Sequence, residues 1–208
     1  MIDPGSLDWG KDEGLLPAIV QDARSGEVRM LGYMDAAALE ATLRDGFVTF
    51  FSRSRKRLWR KGESSGNLLE VVDIRADCDR DALLVLARPH GPTCHTGAAS
   101  CFGGDGSPGT GFLADLAARL EARSGADPST SYTVRLRAAG IKRMAQKVGE
   151  EGVEVALAAA SGDAAEVTGE AADLVYHLSV LLPACGSSWD EVMEELRRRH
   201  ASSATASS

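Results

Sequence analysis

No apolar run in this 208-residue sequence is long enough to cross a bilayer. The longest, Ala82–Ala87 and Val180–Cys185, fall far short of the roughly 20 residues that a spanning helix needs. Residues Met1 to Gly10 contain acids and no apolar stretch, which argues against an export signal. An excess of positive charge is missing too. The formal net charge of -7 argues against generic nucleic-acid binding, which needs a basic surface. Cysteine is scarce: three of the four thiols, Cys78, Cys94 and Cys101, lie in one stretch, and Cys185 stands alone. That is no disulfide framework, and without export the thiols stay reduced, which points to the cytoplasm. Cys185, inside V-L-L-P-A-C-G, is expected to be a small buried hydrophobe. There is no internal repeat.

What is present is ordinary for a globular chain, 44% hydrophobic and 25% charged. The length allows one large domain or two small ones. Two textures divide it. Up to about Phe102 the sequence favours strands. Leu16–Gln21 and Val28–Tyr33 flank a Ser25-Gly26 hairpin signal. Asp35 can cap a short Ala-rich helix that stops near Gly46. Phe47–Phe51, Leu68–Arg75 and Ala82–Ala87 read as further strands. Gly103–Gly111, G-G-D-G-S-P-G-T-G, has nothing to pack a core and reads as a flexible linker. Beyond it the pattern is helical: Phe112–Arg123, a helix capped by Ser131, Ile141–Ala160, one from Asp163 to about Leu182, and one from Ser188 through Arg199. The tail Ala201–Ser208 is expected to be disordered. The expected layout is a first domain over 1–102, a linker over 103–111 and a second domain over 112–208.

The stretch from Asp77 to Cys101 holds ligands for two kinds of metal. Soft thiolates (Cys78, Cys94, Cys101) suit zinc, and hard carboxylates (Asp77, Asp79, Asp81) suit magnesium. Cys78 to Cys94 spans sixteen positions and Cys94 to Cys101 seven, unlike the paired C-x-x-C of a zinc finger. Three thiolates leave a coordination position open, where bound water would yield hydroxide near neutral pH. His95 is a fourth-ligand candidate or, since its neighbour Cys94 makes joint ligation awkward, a proton shuttle. Spacing leaves a closed Cys3His site and an open catalytic site equally open. In an extended segment the three aspartates would share one face, with Cys78 on the other. An EF-hand fails, because Ala82 stands where its glycine belongs and Arg88 where its glutamate belongs.

Six basic residues lie within nine positions, Arg53 to Lys61, followed by G-E-S-S-G-N. Arginine forks match phosphate oxygens, the serines add donors, and Trp59 can stack on a base or pack in the core. Arg53, Ser54, Arg55, Trp59, Lys61 and Ser65 are the expected contacts to a small phosphorylated ligand. The run S-R-S-R-K-R-L-W-R-K-G-E-S-S-G-N, then D-C-D-R-D, then G-P-T-C-H-T-G-A-A-S-C-F resembles the phosphoribosyl-AMP cyclohydrolases of histidine biosynthesis. The resemblance runs from about Leu16 to Phe102 and implies hydrolytic opening of the adenine ring between N1 and C6, with zinc and magnesium. It implies an intertwined homodimer with shared zinc sites, Cys78 from one subunit and Cys94 and Cys101 from its partner. Asp77, Asp79 and Asp81 would hold magnesium, and His95 would assist proton transfer. The resemblance favours catalytic zinc. Phe50-Phe51 and Ser64 depart from the tyrosines and threonine common in that family.

In the second half Glu150, Glu151 and Glu154 fall on one helical arc, and Glu170 and Asp173 are an i,i+3 pair on the next helix. Like charges at that spacing repel, and bringing the two clusters together would make a site for Mg²⁺ bridging a polyphosphate. Lys142, Arg143 and Lys147 can meet phosphate, Lys147 being the expected contact. His177 reads as a satisfied interface histidine. K-V-G-E-E-G-V-E-V with E-A-A-D-L-V-Y-H-L resembles phosphoribosyl-ATP pyrophosphohydrolase, of the all-α nucleotide pyrophosphohydrolases. It implies Mg²⁺ on Glu151, Glu154, Glu170 and Asp173, with Glu150 ligating or activating water.

The expected fold is thus two domains, a β-rich (α+β) N-terminal one forming an intertwined dimer and an all-α C-terminal one. The expected function is a bifunctional hydrolase with Zn²⁺ and Mg²⁺, acting on phosphoribosyl nucleotides, without nucleic-acid or membrane partners. One rival is a zinc nucleobase deaminase fused to a house-cleaning nucleotide pyrophosphatase, although the deaminase pair H-x-E and P-C-x-x-C is absent. Another is a structural zinc module binding nucleic acid through Arg53–Lys61.

Overall fold

The computed structural model describes residues 2–11, 13–104, 106–107, 109–123 and 131–204, with side chains up to residue 200. The chain divides into two compact units, Met1–Phe112 and Leu113–Ser208. In the first, β1 (Leu16–Asp22) and β2 (Val28–Met34) form an antiparallel hairpin across the Ser25-Gly26 turn. Helix α1 (Ala36–Asp45) follows, because the Asp35 carboxylate accepts the Ala38 N–H at 2.7 Å and Gly46, at φ 74, closes its end. Then come β3 (Thr49–Ser52), β4 (Arg57–Arg60), β5 (Leu69–Ala76) and β6 (Leu83–Pro89).

Two sheets result. The larger has the order β2-β1-β6-β5, with β6 parallel to β1 and antiparallel to β5. The smaller is the β3–β4 ribbon. Alternation decides the buried face: Leu16, Ala18 and Val20 from β1 meet Leu83, Val85 and Ala87 from β6 in one core with Met34, Leu39, Val48, Phe50 and Leu69. Fully burying each such Leu, Val or Phe contributes about 1.5–3 kcal/mol. Gly32 of β2 faces the Phe50 ring so closely that an added methyl would not fit.

The second unit is helical: α2 (Phe112–Ala122), α3 (Tyr132–Ala138), α4 (Ile141–Ser161), α5 (Ala164–Ala184) and α6 (Trp189–Ala204). Gly162, at φ 81, ends α4, and the Asp163 carboxylate accepts the Ala165 and Glu166 N–H groups to start α5. So short a turn between two long packed helices folds them back as an antiparallel pair. Leu120, Leu136, Met144 and Val180 form their core, flanked by Leu116, Tyr176 and Leu181.

Several expectations need correction. Strand β4 lies inside the basic stretch, because Trp59 pairs with Phe50 and Leu58 with Phe51 across the ribbon. The strand expected at Phe47 starts at Thr49, and Phe47 makes only a bridge to Glu70. Cys185 is exposed: it caps α5 beyond the turn carrying Val180 and Leu181, its N–H bonded to the Leu181 and Leu182 carbonyls. Within the expected linker Ser107 is buried, and a Cβ on Gly111 would collide with the Ser25 carbonyl, so the glycine permits close packing on the β1–β2 turn. Asp105 and Pro108 lie outside the described residues. Of the tail, residues 201–204 continue α6, and 205–208 lie outside the described residues.

Candidate active sites

A cavity of about 720 Å³ opens in the first unit between the β3–β4 ribbon with its following loop and the segment after β6. Ser52, Ser54, Arg55, Trp59, Lys61 and Ser65 line one side, and Cys94, His95 and Cys101 the other. The ribbon turns at Lys56, at φ 51. Gly62, at φ 87, lies so close to the Asn67 carbonyl that no Cβ would fit, which folds the loop back on itself. Trp59 leans on Phe50 with ring centroids 5.8 Å apart, so it both packs and lines the wall. Arg53 is not part of the lining; its guanidinium sits 3.8 Å from the Tyr33 ring centroid. Lys61 is only 8% exposed and holds the Asn67 carbonyl at 3.4 Å. Burial lowers its pKa, and the nearby Cys101 and Cys94 sulfurs act the other way.

Cys94 sits in a tight turn in which its N–H donates to the Ala98 carbonyl and its carbonyl accepts the Gly97 N–H. The Thr96 hydroxyl donates to its sulfur at 3.2 Å, which pulls the Cys94 pKa down. Cys101 is pushed up, first by burial and then by the neighbouring Cys94 thiol. The His95 ring stands 3.8 Å from the Cys94 sulfur. Two adjacent soft sulfur donors suit zinc. Cys78 does not join them within one chain: among the described residues the three thiols form no ligand group, and Cys78 is exposed beside Asp79.

Sequence reasoning passed over Met30, Glu63, Pro92 and Thr93 in the lining. Thr93 is 2% exposed, and among the described residues its Oγ1 is the one buried side-chain nitrogen or oxygen without a hydrogen-bond partner. Its place directly before Cys94 was the available signal.

Asp77, Asp79 and Asp81 do converge, with one oxygen of each within 4.8 Å of the others. They do so on a turn and not by strand alternation. The Asp77 carboxylate accepts the Asp81 and Ala82 N–H groups at 3.0 and 3.1 Å, and Arg80 takes φ 62. Lys11 places its ammonium between Asp79 and Asp81, at 2.9 and 2.8 Å. Three hard oxygens that already collect a cation fit magnesium.

In the second unit Glu151 and Glu154 from α4 and Glu170 from α5 bring an oxygen each within 4.8 Å of one another. Glu151 is buried, and Lys147, one turn earlier, pairs with it and with Glu150. Lys147 therefore lies among carboxylates, and its pKa is raised by them. It pulls Glu151 down, while Glu154 is raised by its hydrogen bond to Glu151 and by the Glu170 charge. One cation is too few for three acids, the donor set that a divalent oxygen-loving ion fits. Glu150 is outside this trio, its oxygens accepting from Gln146 and Lys147 at 2.7 and 2.9 Å. Asp173 is exposed and also outside it. His177 is buried and satisfied: its Nδ1–H donates to the Asp173 carbonyl at 2.9 Å, and Nε2 shares a hydrogen bond with the Tyr132 hydroxyl at 3.0 Å.

Known proteins match both halves. The family model for phosphoribosyl-AMP cyclohydrolase matches residues 30–103, and that for phosphoribosyl-ATP pyrophosphohydrolase matches residues 113–200. The "Histidine biosynthesis bifunctional protein HisIE" of Escherichia coli K12 is 60% identical over 194 residues, covering 93% of this chain and 95% of that protein. The protein of the same name from Salmonella typhimurium is 58% identical over the same coverage. That from Photobacterium profundum is 54% identical over 200 residues, 94% of this chain and 97% of its own length. With the thiol-lined cavity in one half and the acid trio in the other, this chain belongs to the bifunctional histidine-biosynthesis family that joins a phosphoribosyl-AMP cyclohydrolase to a phosphoribosyl-ATP pyrophosphohydrolase.

Proposed function

We infer that this chain catalyses two successive hydrolyses. The C-terminal half, over 112–208, cleaves phosphoribosyl-ATP to phosphoribosyl-AMP and pyrophosphate. The N-terminal half, over 1–102, then opens the adenine ring of that product. The observation that carries the reading is one cavity lined by Cys94, His95 and Cys101 opposite Trp59 and Lys61, in the half that matches the cyclohydrolase.

Cys94 and Cys101, with Cys78 of a second copy, would hold zinc, which would supply a nucleophilic hydroxide near neutral pH. The isolation of Cys78 in a single chain supports that sharing and hence an intertwined homodimer. Trp59 offers its face to the purine, and Arg55, Ser54 and Ser65 offer donors to phosphate. Arg53 reaches phosphate only by leaving Tyr33. As water oxygen bonds to C6 and the N1–C6 bond breaks, the departing N1 needs a proton, and His95 carries it. Asp77, Asp79 and Asp81 hold magnesium at the neighbouring turn.

In the second half Glu151, Glu154 and Glu170, with Asp173, hold Mg²⁺, which neutralises polyphosphate charge when bound. Glu150, half-buried beside them, orients water for attack on phosphorus, and Lys147 moves from the carboxylates to phosphate. No helix among the described residues is long and apolar enough to cross a membrane. The acidic chain fits a cytoplasmic enzyme of small nucleotides.

The test is a coupled assay with phosphoribosyl-ATP, Zn²⁺ and Mg²⁺. Cys94→Ala should abolish ring opening and spare pyrophosphate release, and Glu154→Gln should do the reverse. Loss of both activities in either folded variant, or ammonia release from phosphoribosyl-AMP, would sink the reading.

A further inference from the structure

Strand β2 is an outer strand of the larger sheet, yet its free edge is used. The Cys101 N–H donates to the Arg29 carbonyl at 2.8 Å. The Ser100 hydroxyl donates to the Val28 carbonyl at 2.7 Å and accepts the Phe102 N–H at 3.0 Å. Ser100 is 4% exposed, whereas Cys101 beside it is exposed. One hydroxyl thus clips the backbone on both sides of Cys101 to a single strand.

That strand is itself braced. Arg29 donates to Asp22 Oδ2 through Nη2 at 2.7 Å and Nε at 3.2 Å, and pairs with Glu27 through Nη1 at 2.7 Å. Asp22 Oδ1 accepts the Arg24 and Ser25 N–H groups at 2.9 and 3.1 Å, which fixes the hairpin turn. The side chains of Arg29, Asp22 and Glu27 are only 11%, 7% and 11% exposed, so these charge-assisted bonds are little screened by water.

We propose that Ser100 is a positioning residue for the cyclohydrolase: its clip to Val28, on a strand held by the Asp22–Arg29–Glu27 cluster, sets the Cys101 sulfur against Cys94. The inference rests on Cys101 being a zinc ligand. Zinc–thiolate geometry tolerates little displacement, and partners that orient a ligand typically control affinity by about 10–100-fold. Without the hydroxyl, Cys101 keeps one backbone bond, and the exposed segment beyond it is free to swing.

The experiment takes the full-length protein stripped of metal and titrated with Co²⁺, whose thiolate charge-transfer band reports the sulfurs directly, followed by Zn²⁺ competition against a chelator. Ser100→Ala should weaken zinc binding about 10–100-fold and diminish the cobalt–thiolate band. Its ring-opening kcat should fall while pyrophosphate release is unchanged, and Ser100→Thr, which keeps the hydroxyl, should restore band and affinity. An unchanged band and affinity in Ser100→Ala, beside a normal wild-type band, would overturn the positioning role alone. A wild-type protein with no thiolate band would overturn the zinc reading and this role with it. Should Ser100→Ala not fold, hydrogen exchange of the wild-type protein decides: a slowly exchanging Phe102 amide, the one that the Ser100 hydroxyl accepts, supports the clip, and one exchanging at the rate of a free loop overturns it.

Discussion

Gly32→Ala probes how tightly the first unit couples its core to its cavity. Gly32 lies in β2 with extended backbone, so alanine meets no conformational objection there. The obstacle is steric: the new methyl would fall inside the closest approach to Cδ1 and Cε1 of Phe50. Phe50 is 1% exposed and cannot retreat into solvent. It leans on Trp59, which lines the cavity, so a displaced Phe50 ring pushes Trp59 inward. Overpacking of a tight core costs about 1–3 kcal/mol. For a unit of this size each kcal/mol lowers the thermal midpoint by roughly 4–8 °C. The assay is thermal unfolding by tryptophan fluorescence at fixed protein concentration. Trp9 and Trp59 report on the first unit and Trp189 on the second. The Trp189 transition and pyrophosphate release should hold steady while the first transition drops and the KM for phosphoribosyl-AMP rises. An unchanged first midpoint with an unchanged KM would refute the reasoning, since it would mean that the core accommodates the methyl freely.

Three further outcomes are expected. Lys11→Met removes the ammonium that would compete with Mg²⁺ for Asp79 and Asp81, so calorimetry should find Mg²⁺ bound there roughly two- to fivefold more tightly, the scale of exposed ion pairs; weaker binding would mean that Lys11 organises the carboxylates instead. Tyr132→Phe strips the hydrogen-bond partner from the buried His177 Nε2, at a cost of about 1–3 kcal/mol; urea unfolding followed at Trp189 should show a lower midpoint, and an identical curve would mean that this bond contributes nothing to the stability of the second unit. Arg198 and Arg199 hold the Glu195 carboxyl down to about 2. A depressed carboxylate contributes above its unfolded value of 4.5 and loses that contribution as pH falls through about 2. The α6 ion pairs should therefore survive at pH 4, and a carboxyl NMR titration of Glu195 centred near 4.5 would contradict this.

Much of the fold is legible because local signals agree with the tertiary structure. Asp35, Ser131 and Asp163 cap helices where the sequence puts them, each through its own side chain. The strand expected at Leu16–Gln21 forms as β1, with alternating burial along it. What failed was non-local. Arg57–Arg60 looks like a charge run, and only its pairing with Thr49–Ser52 makes it a strand. The parallel pairing of β1 with β6 joins segments some sixty residues apart, which periodicity cannot reveal. Cys185 misled because its apolar neighbours belong to the packed face of α5 while it lies past the helix end. The site was legible as chemistry but not as geometry. The aspartates meet through a turn capped by Asp77, and Lys147, expected on phosphate, rests among the acids it would leave.

The sheet's two borders bear on how copies of the chain meet. Ser100 and Cys101 occupy the outer side of β2. On β5, Gly46 to Val48 cover the first residues, and a bulge at Val72 disturbs the next. Long, bare strands invite addition of a neighbour's strand and growth toward fibrils. Here the chain itself takes up Val28 and Arg29 on one border and Leu69 to Val71 on the other, so a neighbour's strand meets a shortened free edge at each. The exposed Leu31 and Val72 offer an approaching copy apolar side chains beside those shortened edges.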